Sequence, residues 1–179
     1  MDLVGTLLKI PRGSPGLAPM SIELQEILDV EKRMIEISYV NKQSAFELMS
    51  TFIIAASELR KILSKIKFEY SQAVKHAQKR RSIILLDEAP EILEKKGLSS
   101  SKDLRDAVVD QDLEYFNLSQ VVDTLEATHE YLRGKLKDFE EACRAVKKVF
   151  SNDDRFDDDS QNLHTTYNSD SEIGEPRYG

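Results

Sequence analysis

The stretch LRDAVVDQDLEYFNLSQVVDTLEATHEYLRGKLKDFEEACRAVKKVF (104–150) decides the fold. Its seam reads Leu104, Val108, Gln111, Tyr115, Leu118, Val122, Leu125, His129, Leu132, Leu136, Phe139, Cys143, Val146 and Phe150. Steps of four and three alternate throughout, which is the 3.5-residue period of a left-handed coiled-coil seam. A helix with such a seam needs a partner. Ser100, with Asp103 three residues later, reads as the capping box that opens it.

The partner lies upstream. From Ala45 the positions Leu48, Phe52, Ala55, Leu59, Leu63, Ile66, Tyr70, Ala73 and Ala77 repeat the same alternation with no glycine or proline between them. Pro90 is expected to end this second helix near Leu86, because proline cannot continue the hydrogen-bond ladder. Two long seams joined by a short connection (87–101) fold back antiparallel most simply. A shorter helix is expected from Ser21 to Val40, with Ser21 as its N-cap. The fold class that follows is all-α, a long antiparallel coiled-coil-like hairpin with an additional N-terminal helix.

Composition supports this organisation. Seven glycines, five prolines and no tryptophan in 179 residues leave too few turns for an all-strand fold. Residues 1–20 read as a flexible arm, because the apolar run Leu3–Ile10 is broken by Lys9, ended by Pro11 and too short to span a membrane. Residues 21–150 form the helical domain. Residues 151–179 carry eight acids against Arg155 and Arg177, a net of −6 out of −7 for the chain, and read as a disordered acidic tail. Cys143 is the only cysteine, so no internal disulfide forms, which suits a reducing cytoplasm.

Enzymatic readings find no support. Ile83-Ile84-Leu85-Leu86-Asp87-Glu88 has the look of a motor's strand and carboxylates, but no GxxxxGK[ST] loop exists to hold phosphates. His76, His129 and His164 lie far apart with no cysteine at ligand spacing, so neither a metal site nor a cofactor is expected. His129 and Gln111 read as polar register positions in the seam, and Cys143 as a small core residue.

The informative segment is 59–81. Arg60, Lys61, Lys65, Lys67, Lys75, Lys79, Arg80 and Arg81 face the single acid Glu69, a net of +7. At about 100° per residue, Lys61, Lys65, Phe68, Gln72, Lys75 and Lys79 fall opposite the seam. From Lys61 to Lys79 is about 27 Å at the helical rise, a length that several extended nucleotides could follow. Cations neutralise phosphates and an outward ring offers bases a stacking surface. Lys61, Lys65, Phe68, Lys75, Lys79, Arg80 and Arg81 are therefore the candidate nucleic-acid contacts. Leu104, Val108, Leu118, Val122, Leu125, Leu132, Leu136, Phe139 and Val146 are the candidate seam of hairpin and oligomer. The competing reading pairs the bases with Asp110, Asp112, Glu114, Asp123 and Glu126 across the hairpin and packs Phe68 against protein.

The residues from Leu104 to Lys147, with Val108-Val109, Asp112, Tyr115, Asp123, Leu125, Leu132 and Val146-Lys147, resemble the second half of the T-even phage recombination mediators known as the UvsY family. Lys61 to Tyr70-Ser71 resembles that family's basic helix, and the likeness covers roughly residues 45–150. The resemblance implies a small all-helical oligomer without catalysis. It would bind single-stranded DNA and help a recombinase displace a single-strand-binding protein in the host cytoplasm. The alternative is a virion component or scaffold that uses the hairpin for protein contacts alone.

Overall fold

The computed structural model describes residues 2–4 and 7–166, with side chains for 7–41 and 43–149. Helix α2 (Lys42–Ile83) and helix α5 (Leu113–Thr166) form the antiparallel hairpin. Three cross-contacts fix its direction and register: Arg80 meets Asp112, Arg60 meets Glu140, and Cys143 Sγ lies against the Met49 carbonyl. The seam is buried as its period requires. Leu59, Leu63, Ile66, Ala73 and Ala77 line α2, and Leu118, Leu125, Leu132, Phe139 and Val146 recur every seven residues on α5. Val122 and Leu136 are half-buried against the same core, and Phe52 stacks on Phe139 with ring centroids 6.2 Å apart. Asn41 starts α2 with a reciprocal cap, its side chain accepting from the Ser44 N–H while the Ser44 hydroxyl accepts from the Asn41 N–H.

The N-terminal residues depart from the expected flexible arm. Strands β1 (Asp2–Val4), β2 (Leu7–Ile10) and β3 (Met20–Glu23) make an antiparallel sheet in the order β1-β2-β3, with Leu8 opposite Ile22 and Ile10 opposite Met20. Alternation decides its faces: Leu8 and Ile10 are fully buried in the main core, whereas Leu7 and Lys9 look outward. Ser21 lies in β3 and caps no helix; α1 begins only at Gln25, ends at Lys32, and passes into a 3-10 turn over Arg33–Tyr39. The loop after β2 is held down by Glu69, a carboxylate only 5% exposed. It accepts the Gly13 N–H at 2.8 Å and pairs with Arg12 at 2.7 Å. A Cβ on Gly13 would stand 1.9 Å from the Glu69 carbonyl oxygen, so only glycine allows this approach.

The far end of the hairpin also differs from expectation. Pro90 does not end the helical path, because a π-turn over Ile84–Glu88 precedes it. The turn closes with the Ala89 N–H donating to Ile84 O, and the wider coil gives the Pro90 ring room over a position that has no N–H to satisfy. Helix α3 (Ala89–Lys95) then ends at Gly97, φ +68°, where the Leu98 N–H donates to Leu93 O and the Gly97 N–H to Glu94 O. Helix α4 (Lys102–Gln111) is capped by Ser101, one residue past the anticipated Ser100. The single helix expected from 104 to 150 is broken at Asp112, which is extended. Val108, Val109, Ile84, Ala89 and Tyr115 thus form a second small core, and neither Val108 nor the half-buried Leu104 belongs to the long seam.

Helix α5 carries its backbone on to Thr166, and the part of the expected acidic tail from 167 onward lies outside the described residues. No described helix is long and apolar enough to cross a membrane.

If the N-terminal sheet is part of the core, Ile10→Ala should lower unfolding free energy by about 2–5 kcal/mol in urea titration. An arm that moved freely would leave the midpoint where it was.

Candidate nucleic-acid interface

Helix α2 turns its apolar seam to α5 and the N-terminal sheet, which leaves the opposite side to solvent. Lys61, Lys65, Lys75 and Lys79 stand on that side with Phe68, whose ring is 60% exposed. Lys61 pairs with Glu58 at 2.5 Å, one turn earlier on the same helix, an exposed contact of a kind that is worth little. Among the described residues no acid lies within ion-pair distance of Lys65, Lys75 or Lys79. Lys67 sits to the flank, beside Tyr70, Glu126, His129 and Glu130. Four lysines and one ring therefore share an open face, as the helical period requires.

Arg80 leaves the candidate set. Arg80 donates through Nε and Nη2 to Asp112 at 3.1 and 2.5 Å, and through Nη1 and Nη2 to Glu88 at 2.6 and 3.0 Å. Glu114 stands 3.1 Å from its Nε. The guanidinium grips two carboxylates in a fork, with its side chain only 18% exposed, so its donors are spent inside the protein. Arg81 pairs with Asp106 at 2.9 Å. Arg60 likewise crosses the hairpin to Glu140 at 2.7 Å. The basic segment thus divides by helical angle into arginines that staple the hairpin and lysines that face water.

Asp112 serves both helices it separates. Its Oδ1 accepts the Tyr115 N–H at 2.6 Å, capping α5, while Arg80 holds the same carboxylate. Arg80's hydrogen bonds, followed by the Tyr115 N–H, keep Asp112 below the usual carboxylate range.

Sequence reasoning missed two features. Phe46, Ile53 and Ile54, exposed by 68, 52 and 64%, extend the outward face of α2 toward its start. The 100° rule places them there, so that signal was readable. The Glu69 latch on Arg12 and Gly13 joins residues 56 apart and had no local signal. His129 is half-buried, 3.5 Å from Glu130, and no described cluster of histidine, cysteine and acids could hold a metal.

No protein-family model, curated protein or solved structure matches the chain.

Asp112→Asn should cost about 1.5–3 kcal/mol at neutral pH, the loss of charged hydrogen bonds to Arg80. A carboxylate whose pKa is lowered by folding stabilises fully above its unfolded value, about 3.9, and that stability fades as the pH falls through the folded value. Urea melts of both proteins should therefore converge in strong acid. A difference that stays constant from neutrality to strong acid would mean that the charge contributes nothing.

Proposed function

We propose that this chain is a non-enzymatic, single-stranded-DNA-binding recombination mediator that assists recombinase loading. The observation that carries the reading is the open column of Lys61, Lys65, Lys75 and Lys79 with Phe68 among them, on the side of α2 away from the core. The lysines release counterions from phosphates, and Phe68 stacks on a base at the middle of the track. The mediator assignment itself rests on the resemblance to the UvsY family. So do its partners, a recombinase and a single-strand-binding protein, its assembly as a homo-oligomer and its place in the cytoplasm of a phage-infected host.

One observation favours a second reading. Phe46, Ile53 and Ile54 are aliphatic or aromatic side chains exposed on one stretch of α2, and exposed apolar patches mark protein contacts. In that reading the chain is an assembly protein and its lysines only keep the face in solution.

Oligonucleotide binding as a function of salt separates the two. Replacing Lys61, Lys65, Lys75 and Lys79 by glutamine should weaken binding and lower the log–log salt slope by about 0.7 per lost contact, roughly 3 in all. Phe68→Ala should weaken binding by about 1–3 kcal/mol with the slope unchanged. Binding that survives the lysine substitutions, or is absent in the parent protein, would leave the assembly reading in place.

A further inference from the structure

The outward face of α2 changes character along its length. Residues 59–81 carry a net of +7, whereas residues 43–58, QSAFELMSTFIIAASE, contain no lysine or arginine. Beside this segment, which carries Glu47 and Glu58 and so a net of −2, a groove of about 600 Å³ opens between α2 and α5, lined by Phe46, Met49, Ile53, Cys143 and Val146 with Arg144 and Lys147 from α5. Two hydroxyls of α2 near it are already satisfied: Ser50 donates to Phe46 O at 2.8 Å and Thr51 to Glu47 O at 2.9 Å. Burying this surface strands no donor of these residues.

We infer that the start of α2, with the groove beside it, seats a second copy of this chain, the two α2 helices crossing antiparallel near Ser50. Charge selects this placement. Two copies brought together over 59–81 would set +7 against +7, whereas a crossing near Ser50 keeps those halves apart. Because α2 starts at Lys42, an antiparallel copy centred on Ser50 overlaps its partner only as far as residue 58. That is where the stretch without lysine or arginine ends, so each basic half emerges from the contact and points away from the other. An overlap of about 24 Å of helix is small, so the association is weak and depends on concentration.

This deepens the self-association named with the proposed function, and it stands independently of any contact with DNA. Both copies keep their lysine columns open, so one dimer offers two tracks leading outward from its centre.

Cys143 reports on the groove, since it is the only cysteine of the chain and lies in the floor. Burial, then the charge of Glu140, pushes its thiol up, so labelling rates are compared at one fixed pH near neutrality, where maleimide is selective for thiol over lysine. In the full chain, maleimide labelling of Cys143 should slow severalfold between about 1 μM and about 100 μM protein, while sedimentation shows monomer passing into dimer. Phe46→Glu and Ile54→Glu, two separate variants of exposed residues, should each keep the helical circular dichroism, remain monomeric and label fast at every concentration. Dilute oligonucleotide affinity per protomer should match the parent in both. Labelling that is slow at all concentrations would mean that the chain covers its own groove, and labelling that is fast at all concentrations would mean that no copy sits there. A dimer that survives both variants would place the contact elsewhere. Any of these three results overturns the inference, whereas lost DNA binding with intact Cys143 protection overturns only the DNA reading.

Discussion

The fork of Arg80 on Asp112 and Glu88 sets what the rest of the molecule builds on. A heptad seam specifies that two helices pack, but it tolerates slips by whole repeats. A part-buried guanidinium with two carboxylates tolerates none, because a slipped register would strand charges away from water. Anchored there, Arg60 reaches Glu140 and Phe52 reaches Phe139 at the other end of the hairpin. The same carboxylate ends α4, caps α5 and so turns the chain at the one place where a straight helix would have carried it past the second core.

This arrangement also sorts the positive charge. Arginines at the hairpin's edges are used as staples, where a planar fork suits a carboxylate, while Lys65, Lys75 and Lys79 face solvent with no acid at ion-pair distance among the described residues. Segment 59–81 thus holds two kinds of cation with different work. Glu69, the only acid among them, is turned inward to hold the N-terminal loop. Its negative charge is matched by Arg12 inside the protein and does not dilute the lysine face.

How much of this was legible follows from the range of each interaction. The long seams were readable because each residue repeats its neighbours' pattern, and Leu118, Leu125, Leu132, Phe139 and Val146 are buried as the period demands. Exposure of Phe68 followed from the same arithmetic. The break at Asp112 was hidden, since its cause is Arg80, 32 residues away. Pro90 misled for a related reason: a π-turn supplies locally what the proline rule says is missing. The N-terminal strands are three and four residues long and owe their place to Glu69 and the core, so no local periodicity announced them. Of the candidate contacts, Lys61, Lys65, Phe68, Lys75 and Lys79 lie on the outward face, Arg80 is turned onto Asp112 and Glu88, and Arg81, exposed, pairs with Asp106.

The central claim is that one face of α2 meets DNA through its lysines while the arginines hold the fold. Lysine acylation of the protein with and without oligothymidine, read residue by residue by mass spectrometry, addresses it directly. Lys65, Lys75 and Lys79 should be protected by DNA, while Lys95 and Lys137, exposed elsewhere, react as before. Protection spread evenly over all five lysines, or confined to Lys95 and Lys137, would contradict the account.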